Sequence, residues 1–105
     1  MFIAKIVGST VATQKLPSMV GWKLLVAEAY RADPLSNALV PTGRTIITVD
    51  TLGAGEGDFV LICQGSSARM TPETKGIPTD AVTIGIIDTV SLRGKTIVPA
   101  EYASE

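Results

Sequence analysis

At 105 residues, with nine basic against ten acidic side chains and a net charge of −1, the chain is sized for one domain and carries no basic block of the kind nucleic acid requires. Hydrophobic residues make up 46% and charged ones only 18%, below the roughly 25% charged of ordinary soluble domains, and the mean hydropathy is +0.35; this apolar excess needs cover, and a subunit interface is the expected cover. No run reaches the roughly 18 apolar residues of a spanning helix, Met1-Phe2-Ile3-Ala4-Lys5 lacks a signal peptide's apolar centre and cleavage site, and Cys63 has no partner for an internal disulfide, so no membrane association is expected and the chain reads as intracellular.

In chain order, Phe2–Val7 is a β-rich run that stops at Gly8, with Val11-Ala12-Thr13 as a continuation after a bulge or bend at Gly8-Ser9. Pro17, Ser18 and Gly21 mark 15–21 as a loop. Trp22–Tyr30 alternates, with Leu25, Ala27 and Ala29 on one face and Leu24, Val26, Glu28 and Tyr30 on the other. Its Leu and Ala content leaves helix as the rival. Asp33-Pro34, Ser36-Asn37 and Pro41-Thr42-Gly43 predict an irregular connection over Arg31–Gly43. Thr45–Val49 is a strand, Gly53–Gly57 a turn, and Asp58–Gln64 a strand with Val60 and Ile62 opposite to Phe59, Leu61 and Cys63. A polar loop, 65–76, leads to one short helical turn at Pro78-Thr79-Asp80-Ala81. Val82–Val90 reads as a strand carrying Val82, Ile84, Ile86 and Val90 on one side, and Arg93-Gly94 as the tip of a hairpin returning through Lys95–Val98. Many short strands, glycine turns and at most one short helix predict an all-β fold, a small antiparallel barrel or sandwich, occupying residues 1–98 with a loosely held tail over 99–105.

Candidate chemistry is sparse. The absence of histidine removes the commonest general base and metal ligand. Cys63 reads as a buried, inert thiol. Asp50, Asp58, Asp80 and Asp88 sit at strand ends and turns without a spacing that pairs them, and read as solvated or turn-capping. Gly53-Ala54-Gly55-Glu56-Gly57-Asp58 lacks the third glycine of a dinucleotide loop and leads into a strand, so it reads as a tight turn. Gly53, Gly55 and Gly57 are expected to take backbone angles or clearances closed to other residues. In Gly65-Ser66-Ser67-Ala68-Arg69, small residues permit close approach, and hydroxyls with one guanidinium suit an anion, against the alternative of an ordinary surface loop. No catalytic group, cofactor, metal or small-molecule substrate is indicated. A second reading is an OB-like barrel that binds single-stranded nucleic acid. It wants aromatics on a basic groove, whereas the five aromatics, Phe2, Trp22, Tyr30, Phe59 and Tyr102, have no basic cluster beside them in the sequence.

A set of motifs resembles one family when taken in order. Ile3-Ala4-Lys5-Ile6-Val7-Gly8 with Val11-Ala12-Thr13, Gly21-Trp22-Lys23-Leu24-Leu25-Val26, Val49-Asp50 through Gly53-Ala54-Gly55-Glu56-Gly57, Gly65-Ser66-Ser67-Ala68-Arg69, Pro78-Thr79-Asp80-Ala81 and Gly85-Ile86-Ile87-Asp88-Thr89-Val90 together resemble the vertex proteins of bacterial microcompartments, the EutN/CcmL family. The resemblance runs from the start to about Lys95. It implies a small OB-like barrel that assembles into a cyclic homopentamer, has no catalytic activity, and caps corners of a cytoplasmic polyhedral shell whose facets are hexameric proteins. It also places Gly65, Ser66, Ser67, Ala68 and Arg69 near the five-fold axis, with Ser66 and Ser67 lining a narrow opening and Arg69 reaching a neighbour or an anion. The Gly53–Gly57 turn is expected at a subunit contact. Trp22, Glu28-Ala29-Tyr30 and Thr79 depart from the family pattern, and they bear on the outer rim where hexamers would dock.

Overall fold

The computed structural model describes residues 1–11, 22–65 and 80–98. Seven strands are present: β1 (Phe2–Thr10), β2 (Lys23–Asp33), β3 (Ala38–Asp50), β4 (Phe59–Gln64), β5 (Ala81–Ile86), β6 (Val90–Leu92) and β7 (Lys95–Val98). The first five close a barrel in the order β1-β2-β3-β5-β4, and β6 and β7 form a separate two-stranded sheet. The barrel neighbours pair antiparallel except β3 and β5, which run parallel through two residue pairs, Val49 with Val82 and Asp50 with Thr83. The antiparallel barrel expected from the sequence is therefore sealed by one short parallel seam.

Five strands enclose a narrow interior, and the inward positions are sized for it. Ala4, Ala27, Ala54 and Ala81 alternate with Ile6, Leu25, Val60 and Ile62 in one buried cluster, with Phe2 and Ile46 packed against it. Small residues let the strands close, and the branched residues fill what space remains; each large side chain so buried contributes about 1.5–3 kcal/mol. A second cluster, Val49 and Val82, is covered by Trp22, Leu24, Cys63 and Ile84.

The inward set on β2 is the one its alternation predicts, Leu25, Ala27 and Ala29. A period of two and pairing with strands on both sides settle the helix alternative. On β4 the buried pair is Val60 and Ile62. Cys63 is half-buried, not enclosed, because its outward face is shared with a cluster that reaches the surface.

Three expectations are corrected. The first strand does not stop at Gly8 but runs on to Thr10. The register passes from Ile6 opposite Ala27 to Gly8 opposite Val26, which leaves Val7 as a bulge. The irregular connection expected over Arg31–Gly43 is a hairpin, with β2 extended to Asp33 and β3 begun at Ala38. Its Pro41, Thr42 and Gly43, which read as loop residues, lie within β3. There Ala29 faces the stretch between Pro41 and Thr45, Gly43 has φ +80°, and the Thr42 hydroxyl donates to the Ala29 carbonyl at 2.8 Å. Finally, the long strand Val82–Val90 is two strands, broken at Ile87–Thr89. Ile84 is unmatched between Leu61–Gly85 and Ile62–Thr83, so the alternation shifts: Val82 is buried while Ile86 is exposed. Of the short helical turn at Pro78–Ala81, Pro78 and Thr79 lie outside the described residues, and Ala81 opens β5.

The Arg93-Gly94 tip is as expected. Both residues have positive φ, +53° and +80°, the pairing geometry that lets a two-residue turn follow the twist of its strands.

Candidate functional site

The turn between β3 and β4 is built by two aspartates. Asp50 ends β3 and is almost fully buried. Its Oδ2 accepts the backbone N–H groups of Gly53 at 2.8 Å and Ala54 at 3.1 Å. Asp58 closes the other half: its Oδ2 accepts from the Gly55 N–H at 2.9 Å, and its own N–H donates to the Gly55 carbonyl at 3.0 Å. Two carboxylates thus satisfy three backbone donors that no ladder could reach. The other Asp50 oxygen, Oδ1, is buried without a hydrogen-bond partner among the described residues. The capping role read for Asp50 and Asp58 holds; the solvated alternative does not hold for Asp50.

Ala54 drops its methyl into the barrel core, while Lys23 Nζ donates to its carbonyl at 3.2 Å. The Gly57 N–H donates to the Ile6 carbonyl and the Ile6 N–H to the Asp58 carbonyl, at 2.8 and 2.9 Å, so the turn is laced to β1. Gly53 and Gly57 have φ of +86° and +92°, the region only glycine enters cheaply. Gly55 differs from the expectation. Its φ is outside that region, and a Cβ there would meet nothing within 4 Å. Within one subunit, the glycine at 55 is not required.

Of the second candidate segment, only Gly65 is described; Ser66, Ser67, Ala68 and Arg69 lie outside the described residues. Gly65 has φ +80°, and its N–H donates to the Asp80 carbonyl at 2.7 Å, which ties the end of β4 to the approach to β5. Glu56 is exposed on the turn, as is Leu52 ahead of it at 48%.

The outer barrel surface carries more apolar area. Val7, Ile47 and Ile86 are exposed. On the β2–β1–β4 face, Ile3 stands between Tyr30 and Leu61. The Tyr30 and Phe59 rings meet edge to face, 5.2 Å between centroids at 78°. Lys5 lies 5.8 Å from the Phe59 centroid and Arg44 6.0 Å from that of Phe2. Two basic groups therefore do stand beside aromatics, which the linear order conceals. Lys5 also faces Glu28 across the strands, and Glu28, after burial, is the second cause that raises the Tyr30 phenol above its ordinary value. Acid and base alternate here, so the face is no basic groove. Among the described residues, no three of His, Cys, Asp and Glu converge as metal ligands, and no helix is long and apolar enough to cross a membrane.

Likeness to known proteins follows the same fold. Residues 1–88 match the family model described as ethanolamine utilisation protein EutN/carboxysome. The chain is 41% identical over 90 residues to the bacterial microcompartment shell vertex protein GrpN of Rhodospirillum rubrum, covering 86% of this chain and 96% of that protein. It is similar to the solved structure of Gloeobacter violaceus CcmL, with a TM-score of 0.79 at 38% identity over 91% of this chain and 94% of the other. The GrpN structure, a pentameric microcompartment shell protein, gives a TM-score of 0.71 at 40% identity over 87% of this chain and 96% of the other. A family match across most of the chain, relatives matched over nearly all of their length and a shared barrel place it together: the chain belongs to the EutN/CcmL family.

Proposed function

We propose that this chain forms homopentamers that occupy the vertices of a bacterial microcompartment shell in the cytoplasm, closing a surface otherwise tiled by hexameric proteins. The observation that carries this reading is the likeness, in sequence and fold together, to a pentameric shell protein. The physical logic is one of curvature. A sheet of six-fold tiles is flat, and exchanging a six-fold tile for a five-fold one removes a wedge and bends it shut. A five-fold ring uses a head-to-tail contact, which needs two unlike faces on each subunit. Exposed apolar side chains are available to such a contact, Val7, Ile47, Leu52 and Ile86 among them.

The role is structural and not catalytic. With no histidine in the chain and Asp50 and Asp58 engaged by backbone donors, no nucleophile–base pair is assembled among the described residues. The Gly53–Gly57 turn belongs to a subunit contact. Gly55, open on its own subunit, gives a neighbour room to approach. Gly65, Ser66 and Ser67 surround the five-fold axis, and Arg69 reaches a neighbouring copy or an anion.

Native mass spectrometry of the purified protein tests the assembly. The expected species is five times the 11.0 kDa subunit mass. A monomer at micromolar concentration would overturn the proposal. An experimental pentamer structure with the Ser66 and Ser67 hydroxyls far from the axis would remove the assigned opening alone.

A further inference from the structure

The buried polar side chains among the described residues gather in one place. Thr48, Asp50 and Thr83 are 0%, 3% and 2% exposed, and all three stand where β3 meets β5. Thr48 and Asp50 are two apart on β3 and so share its inner face, and Asp50 lies opposite Thr83 across the parallel ladder. The outer face of the same joint is apolar. Val49 lies opposite Val82 there, covered by Trp22, Leu24, Cys63 and Ile84. Among the described residues this joint is the shortest ladder of the barrel.

Closure leaves the polar group short of partners. The two hydroxyls share one bond at 3.3 Å, longer than the roughly 2.7–2.8 Å usual between hydroxyls. Asp50 Oδ1 has no hydrogen-bond partner among the described residues, while Oδ2 holds the N–H groups of Gly53 and Ala54. A buried acceptor without a donor is a cost that the closed form carries and hydration removes. Parting the joint breaks no other ladder. β5 keeps β4, with Cys63 opposite Val82 and Ile62 opposite Thr83, and β3 keeps β2, with Leu24 opposite Val49 and Lys23 opposite Asp50.

We propose that the β3–β5 joint is a gate with Asp50 as its latch: the two strands part while the rest of the barrel stays folded, water reaches Thr48, Asp50 and Thr83, and the Gly53–Gly57 turn loosens in the same event. The coupling runs through one carboxylate. Its bonds to Gly53 and Ala54 are strong because the site is dry, and water that hydrates Oδ1 competes for Oδ2 as well. Two apolar contacts draw the gate shut again, the Val49–Val82 pair on the outside and the Ala54 methyl in the barrel core. The open form is therefore the minor one. The gate belongs to the single subunit and does not depend on how many copies assemble.

Amide hydrogen exchange of the parent protein, followed by NMR at increasing urea below the unfolding transition, tests this. The amides that bond across the joint between Val49–Asp50 and Val82–Thr83, and those of Gly53 and Ala54, are expected to share one opening constant with little dependence on urea. Leu25 and Ala27 pair on both sides and are expected to exchange only by global unfolding, with an opening constant smaller by about tenfold or more. The double variant Thr48→Val with Thr83→Val makes the inner face of the joint less polar. It is expected to lower the opening constant of joint and turn together, by about tenfold. If the joint amides follow Leu25 and Ala27 in rate and urea slope, there is no gate. If Gly53 and Ala54 open without the joint, or the joint without them, Asp50 is no latch. If the double variant exchanges as the parent does, the hydroxyls do not drive the opening. Each of these results overturns the proposal, the first two on the parent protein alone, and none of them bears on the vertex function.

Discussion

Thr48 and Thr83 are fully buried polar side chains on the two strands that seal the barrel, and their hydroxyls lie 3.3 Å apart. Removing one hydroxyl leaves the other desolvated and unpaired, whereas removing both leaves nothing to satisfy. Thr48→Val and Thr83→Val are each expected to lower stability by about 1–2 kcal/mol, and the double variant by clearly less than the sum. Urea unfolding of the four proteins measures this; strict additivity would mean the two hydroxyls do not depend on each other. The pair was not legible in the sequence, where Thr48 is only one position in an alternating run and Thr83 another. Asp50 is similar. Its place before a glycine turn signals a cap, but its near-complete burial depends on β5 lying alongside it, which no local pattern states.

Among elements, the strands that were legible are those with unbroken alternation, β2 and β4, where a period of two maps directly onto inside and outside. What misled were residues with two meanings. Pro41 and Gly43 punctuate loops in most contexts, yet here they sit in β3 where its pairing with β2 changes register: Pro41 still stands opposite Tyr30, and the irregularity that follows takes up Gly43. The same ambiguity hid the bulges at Val7 and Ile84. The Asp33 tip of the hairpin has a consequence for acidity. The Ser36 hydroxyl first, then the Leu35 N–H, hold its carboxyl below its ordinary value of 3.8. Because the folded value is depressed, the stabilisation is present above the unfolded value and disappears as pH falls through the folded one. The Leu35 and Ser36 amide shifts in NMR are expected to titrate together, with a midpoint below 3.8, and to lose that step in Asp33→Asn. A midpoint at or above the ordinary value would show that the tip is not held by the carboxylate.

At the scale of the molecule, barrel closure and strand order are long-range properties: the family resemblance implied the barrel where pattern alone stopped at barrel or sandwich, and the strand order with its parallel β3–β5 seam came from the structure. Assembly provides the sharpest separation between what the subunit needs and what the ring needs. Gly57 has a φ of +92° and is required by its own turn, whereas Gly55 is not. Gly55→Val is therefore expected to leave the subunit's thermal stability within about 0.5 kcal/mol, as for surface changes away from strained positions, while weakening pentamer formation at least tenfold by native mass spectrometry. A variant that still forms rings at parental concentrations would take Gly55 out of the contact.

The seam between β3 and β5 is only two residue pairs long, and β1 finds its second neighbour in β4, with Phe2 opposite Ile62. A nascent chain that has made β1 to β3 thus holds an open, curled sheet with no partner for either edge. Because non-local pairings form late and slowly, the cylinder cannot shut until β4 and β5 have emerged from the ribosome. Until then both sheet edges stay unpaired, the state most open to pairing with another chain, so the two-pair seam is the step that ends that exposure.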